Sequence, residues 1–83
     1  MGTLRLEPSG NPVLDRIWSM QGDRVRLTWP NGHQRVGLIG AWKFPDGRAV
    51  GTLDGTILTG EASTVVKIER MAANGRYVRV WMP

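Results

Sequence analysis

The chain has no cysteine and a single histidine among its 83 residues. The absence of thiols excludes a disulfide framework, a cysteine-ligated zinc site and a thiol nucleophile. The one histidine, His33, follows Asn31 and Gly32, a pattern that predicts an exposed residue in a turn. Because one imidazole does not make a metal-binding constellation, we expect neither a metal site nor a cofactor.

The chain also lacks the short motifs of the common enzyme classes. Its serines stand in no Gly-x-Ser-x-Gly sequence, and no glycine-rich loop ends in Gly-Lys-Ser or Gly-Lys-Thr. The acidic residues are scattered, and Asp46 and Asp54 precede glycines, where a role in a turn accounts for them. We therefore expect that the protein is not an enzyme and has no catalytic residues.

Long apolar segments are absent too. No segment approaches the roughly 20 consecutive apolar residues that cross a bilayer. Residues 1–10 do not have the basic and then apolar order of a secretory signal. We expect a cytoplasmic protein with no membrane partner.

The composition is that of a small globular domain. Hydrophobic residues make up 41% of the chain and charged residues 22%. The length fits a single core, and we divide the chain into an N-terminal arm or short helix, residues 1–21, that packs on a β domain, residues 22–83. Because a core this small has no disulfide to reinforce it, the sequence leaves open a homo-oligomer.

Turn signals separate the short apolar segments of the β domain. Asn, Asp and Gly tolerate the positive φ of tight hairpin turns, and they occur together at Pro30–Gly32, Pro45–Gly47, Asp54–Gly55 and Asn74–Gly75. Between the turns, side chains alternate with a period of two, most clearly in residues 24–29. The pattern predicts an all-β fold of five to six short antiparallel strands, which closes most easily into a small SH3-like barrel.

The tryptophans are assigned to the core by the same alternation. Trp29 is in phase with Val25 and Leu27, and Trp42 is in phase with Val36 and Leu38. We expect the side chains of these residues to face the interior, since a buried ring contributes much to a small domain. Trp18 is expected to pack there too.

Residues 11–22 predict a short helix. Asn11 is a suitable N-cap, Pro12 suits the first helical position, and Gly22 follows the end of the pattern. Apolar residues recur at helical spacing, at Val13, Leu14, Ile17 and Trp18. Since eight or nine residues make a marginal helix in isolation, the alternative is an irregular arm that packs over one end of the sheet.

The succession of strands resembles SH3-like domains of the KOW and Tudor kind. The resemblance spans residues 22–70 and is carried by Gly22–Arg26, Gly37–Gly40, Gly47–Val50 and Val66–Arg70. It implies the small barrel fold. These motifs are turn glycines and alternating apolar residues, which specify a fold and no particular function.

Arginine with aromatics is the main functional signal. The formal net charge is +4, and arginine supplies most of the basic residues; its planar guanidinium pairs with phosphate and stacks on rings. On the last strand, alternation places Tyr77, Arg79 and Trp81 on one face. We predict that the residues that bind nucleic acid or another partner are Arg24, Arg26, Arg35, Lys43, Phe44, Arg48, Arg76, Tyr77, Arg79 and Trp81.

These residues fit two classes of function. The first is nucleic-acid binding, to DNA or RNA, through backbone phosphates and aromatic stacking, as in a small accessory protein of the phage or plasmid type. The alternative is a protein–protein interaction or assembly module that binds an acidic protein surface or a second copy of the chain. The sequence does not decide between DNA, RNA and a protein partner.

Overall fold

A computed structural model describes residues 6–82, so residues 1–5 of the predicted arm and Pro83 lie outside the described residues. The described part is an all-β domain with one short helix and six strands in a single antiparallel sheet, which confirms the predicted fold class. In chain order the elements are α1 (Pro12–Trp18), β1 (Arg24–Thr28), β2 (Gln34–Lys43), β3 (Ala49–Leu53), β4 (Thr56–Ile57), a 3-10 helix (Gly60–Thr64), β5 (Lys67–Met71) and β6 (Tyr77–Trp81).

Strand β2 connects the two halves of the sheet. The strand order is β4-β3-β2-β1-β5-β6; β1 pairs with Gln34–Leu38 of β2, whereas β3 pairs with Ile39–Lys43. No ladder joins β4 to β6 within residues 6–82, so the sheet stays open between these strands. Side chains from both halves enclose one core, whose fully buried members include Ile17, Val25, Leu27, Ile39, Leu53, Leu58 and Ile68.

The predicted helix is present and forms part of this core. The Asn11 side chain accepts hydrogen bonds from the backbone N–H groups of Val13 and Leu14 at 3.0 and 3.1 Å, and Pro12 is the first helical residue. The helix ends at Trp18, with Ser19 as its C-cap. Its buried side chains, which pack with those of the sheet, are Leu14, Ile17 and Trp18.

The predicted turns connect the strands. The glycine that ends each turn signal has a positive φ, at Gly32, Gly47, Gly55 and Gly75. Asp54 also has a positive φ of 49°, as a two-residue hairpin loop with positive φ at both positions requires. The 3-10 helix after β4 is an addition, since the sequence pattern did not indicate it.

The predicted orientation of β2 is wrong. Val36, Leu38 and Trp42 lie on the outer face and are 49%, 47% and 55% exposed, whereas Ile39 is buried. Gly37 and Gly40 lack side chains, so only a few residues define the alternation, and both phases of β2 offer apolar residues. Trp29 does pack against the core, as predicted, and Trp18 is buried.

The alternation of β6 is interrupted by a β-bulge. Arg79 pairs with Glu69, and the next pair joins Trp81 to Ile68, so Val80 is an extra residue in β6. Tyr77 and Arg79 lie on the outer face, but Trp81 packs against the core together with Val80. The predicted face of Tyr77, Arg79 and Trp81 is therefore wrong for Trp81, because a strict period of two does not allow for the inserted residue.

Candidate functional site

The outer face of β1, β5 and β6 collects basic side chains from distant parts of the sequence. Arg26 of β1 pairs with Glu69 of β5, and Glu69 pairs with Arg79 of β6, so the three side chains share one face. Positions two residues away along each strand lie on this face as well. We call this surface the cationic face; it consists of Arg24, Arg26, Lys67, Glu69, Tyr77 and Arg79.

A buried carboxylate organises the centre of the cationic face. Both oxygens of Glu69 accept hydrogen bonds from Arg26, at 2.8 and 2.9 Å, and the Lys67 ammonium lies 3.7 Å from Oε1. The hydrogen bonds and charge of Arg26, with a smaller effect of Lys67, hold the pKa of Glu69 below its usual range although burial opposes this. The Arg26 guanidinium also lies 4.6 Å from the centre of the Tyr77 ring. Arg26 and Tyr77 are thus held in fixed positions.

The other two arginines of the cationic face are exposed and form no ion pair within residues 6–82. Arg24 extends from the start of β1, and a guanidinium N–H of Arg79 lies 3.5 Å from the sulfur of Met82. A thioether is a weak acceptor, so this contact neutralises no charge. Arg24 and Arg79 therefore keep their hydrogen-bonding capacity for an anion.

An apolar surface adjoins the cationic face along β2. The three exposed side chains Val36, Leu38 and Trp42 form what we call the apolar stripe, and Arg26 and Arg24 are the cross-strand partners of Val36 and Leu38. The core assignment missed this surface. The signal that could have revealed it is Ile39, a large apolar residue that alternates with the stripe and competes with it for the interior.

The backbone of β2 at Leu38 holds a carboxylate. Asp54 Oδ1 accepts a hydrogen bond from the backbone N–H of Leu38 at 2.8 Å, and the Asp54 backbone N–H donates to the Leu38 carbonyl at 2.9 Å. The side chain of Asp54 is thus held at the turn between β3 and β4. Its carboxylate fills the space into which a Cβ of Gly37 would point, on the side of β2 opposite to Val36 and Leu38.

The β2–β3 hairpin holds the other predicted loop residues. The Arg48 guanidinium lies 5.0 Å from the centre of the Phe44 ring and donates a hydrogen bond to Asp46 at 3.0 Å. Hydrogen bonds from Arg48 lower the pKa of Asp46. Lys43 is exposed at the end of β2, beside Trp42. Arg48 is therefore occupied within its own turn, while Lys43 is exposed on the face of β2 opposite to Trp42.

Three further predicted residues also lie away from the cationic face. Arg35 is on the inner side of β2, where its guanidinium lies 3.9 Å from the carboxylate of Glu61. Trp81 packs against the core, as described above, and Arg76 lies in the exposed turn before β6. The structure thus brings together Arg24, Arg26, Tyr77 and Arg79 of the predicted set, and adds Lys67.

Within residues 6–82 there is no group of three or more His, Cys, Asp or Glu side chains suited to holding a metal ion. None of the helices in this part of the chain has the length and apolar character that crossing a membrane requires. Comparisons of the chain with protein-family models, curated proteins and solved structures found no match.

Proposed function

We propose that the protein binds nucleic acid through the cationic face. The observation that carries this proposal is the convergence of Arg24, Lys67 and Arg79 from three strands on one surface, with Glu69 as the carboxylate among them. Glu69 is already hydrogen-bonded to Arg26. Guanidinium groups without a carboxylate partner are suited to phosphate oxygens, which accept two parallel hydrogen bonds from one arginine.

Three of the seven acidic residues, Asp15, Asp46 and Glu61, lie away from the cationic face. Asp15 lies on α1 and Glu61 on the 3-10 helix, and these two elements contact each other on the core side of the sheet. Asp46 is paired with Arg48 in the β2–β3 turn, and the Asp54 carboxylate accepts a hydrogen bond from the backbone N–H of Leu38. A polyanion would therefore be attracted to the cationic face, and the interaction would depend strongly on salt.

The geometry favours recognition of the phosphate backbone. The outer surface is the broad face of a sheet, whereas duplex grooves are usually read by an inserted helix or a two-stranded ribbon. Contacts to phosphate position a protein on nucleic acid and carry no sequence information. We therefore expect binding that differs little between oligonucleotides of different sequence.

We also propose that the fold is an SH3-like barrel. Support comes from six short antiparallel strands, a β2 strand whose two ends pair with different neighbours, and one core enclosed by both halves. The assignment requires the two halves of the sheet to pack at a large angle, and a flat sheet would contradict it.

The test is fluorescence anisotropy of labelled oligonucleotides with nuclease-treated protein at several salt concentrations. For a single strand, each lost phosphate contact changes the slope of the logarithm of the binding constant against the logarithm of the salt concentration by about 0.7. The double variant Arg24→Ala/Arg79→Ala should therefore reduce the magnitude of this slope by about 1.4. Arg70→Ala is the matched control, since Arg70 is exposed and its register with Val25 places it on the other face of β5.

Two results would refute the proposal. If wild-type protein binds no oligonucleotide at low salt, the basic charge has another role and an acidic protein partner becomes the better hypothesis. If Arg70→Ala weakens binding as much as the loss of Arg24 or Arg79 does, the cationic face is not the binding surface.

A further inference from the structure

The apolar stripe is the outer-surface feature that phosphate binding leaves unexplained. Val36, Leu38 and Trp42 are each about half exposed on one face of one strand. Single exposed apolar residues are normal, but three large ones on the same face of one strand favour an interaction surface. The core does not require apolar residues at these three positions, because β2 contributes to the core from its other face, through Ile39.

The position of the stripe indicates the chemistry of what covers it. Arg24 and Arg26 are the direct cross-strand neighbours of Leu38 and Val36, and such neighbours have Cβ atoms about 5 Å apart. An occupant must therefore present negative charge beside apolar or aromatic groups where it covers Val36 and Leu38.

A single-stranded nucleic acid has this arrangement, with phosphates on one side and exposed base faces on the other. In a duplex the base faces are stacked inside and the outer surface carries the phosphates. Placing a duplex on the apolar stripe would therefore desolvate phosphates without giving them a favourable contact. Indole rings also stack on bases without requiring a given sequence. The most exposed of the three side chains, Trp42, is such a ring.

The length of the stripe agrees with this occupant. Val36 and Trp42 are six residues apart, so the stripe spans at most about 20 Å along β2. This is enough for a short segment of about four nucleotides, at the lower end of the known site sizes on small β domains. The β1 cations Arg24 and Arg26 run along the Val36–Leu38 part of the stripe.

We infer that the apolar stripe binds the unstacked bases of a single-stranded nucleic acid whose phosphates lie on the cationic face. This inference rests on the proposed function and makes it specific. It assigns Trp42 as the stacking ring and makes Val36 and Leu38 contacts for neighbouring bases or sugars. It predicts a preference for single strands over duplexes at the same salt concentration.

The experiment compares a labelled 12-nucleotide oligothymidine with a duplex of equal length in anisotropy titrations. Trp42→Ala should weaken binding of the single strand about 5- to 150-fold, the equivalent of one base–aromatic contact, and leave duplex binding unchanged. Trp42→Phe should retain most of the affinity because it keeps a ring. Leu38→Ser gives a second variant of the stripe that does not alter the tryptophan.

The control for the aliphatic positions is Val78→Ala compared with Val36→Ala. Val78 is 48% exposed, almost the same as Val36, but its register with Arg70 places it on the other face of the sheet. Val36→Ala should weaken single-strand binding and Val78→Ala should not. Circular dichroism and a thermal melt of each variant identify any loss of fold.

The outcomes separate this inference from the proposed function. If oligonucleotides bind through Arg24 and Arg79 but the stripe variants have wild-type affinity, or if duplex binds as tightly as single strand, the inference is overturned and the proposed function stands. If no oligonucleotide binds at low salt, both are overturned. An acidic protein segment is then the occupant to test next.

Discussion

Replacement of Gly51 by alanine tests the packing of the helix against the sheet. Gly51 lies on the inner side of β3, where a Cβ atom would overlap the Trp18 ring, with the indole Nε1 only 2.6 Å away. Trp18 is 7% exposed, so its ring has little room to move. A contact this short requires either the ring or the strand to shift.

Two opposing effects determine the magnitude. Overpacking a filled core costs about 1–3 kcal/mol, while replacing glycine at an unstrained position gains about 0.4–1 kcal/mol by restricting the unfolded chain. We expect Gly51→Ala to lower the free energy of unfolding by about 1–2 kcal/mol, which is about 4–16 °C in Tm for a domain of this size. Urea unfolding followed by far-UV circular dichroism measures the change.

Gly60→Ala is the matched control. A Cβ at Gly60 would meet no atom within 4 Å, and its φ is outside the positive range that alanine avoids. Its free energy of unfolding should stay within about 0.5 kcal/mol of wild type. In a Trp18→Leu background, the cost of Gly51→Ala should shrink, since the smaller side chain leaves space. Equal stability of Gly51→Ala and wild type would show that the ring does not lie against Gly51 and would refute the reasoning.

The helix cap, the Glu69 carboxylate and the bulge in β6 each have a measurable effect on stability. Asn11→Ala removes the two N-cap hydrogen bonds and should destabilise the protein by about 1 kcal/mol in urea unfolding, whereas Asn11→Asp should not; equal loss in both would contradict a capping role. Because the pKa of Glu69 is lowered in the folded state, its ionised form stabilises the protein above the usual pKa, and this stabilisation is lost as the pH falls through the lowered pKa. The difference in free energy of unfolding between wild type and Glu69→Gln should therefore shrink below about pH 4.5 in urea unfolding. A difference independent of pH would contradict this. Trp81→Ala should lower Tm more than Trp42→Ala, since Trp81 packs against the core and Trp42 is mostly in water; the reverse order would contradict the bulge in β6.

The features predicted correctly from sequence are those that depend on local backbone chemistry. Asn11 and Pro12 specify the start of a helix through one side-chain cap and one fixed φ. Asp54 and Gly55 specify a hairpin because few residue types tolerate the positive φ that this turn requires at both of its loop positions. Each of these signals acts over two to four residues, so no tertiary information is needed.

The features predicted incorrectly depend on contacts between strands. In β2, the choice between Leu38 and Ile39 as the interior residue is decided by which one meets Leu53 across the ladder, and Ile39 does. In β6, the bulge at Val80 exists only through its pairing with β5. The arginines of the cationic face were identified by type, but their common surface required the register of three strands.

The pairing of β1 with β5 brings together residues more than 40 positions apart, such as Arg26 and Glu69. Unlike a linear basic motif, the cationic face therefore does not exist in any contiguous peptide of the chain, nor in a hairpin cut from it. Its assembly requires closing long loops, which is slow and entropically costly until the core forms. The cationic face and the fold are consequently lost together. A thermal melt monitored through ligand binding should therefore coincide with one monitored through secondary structure.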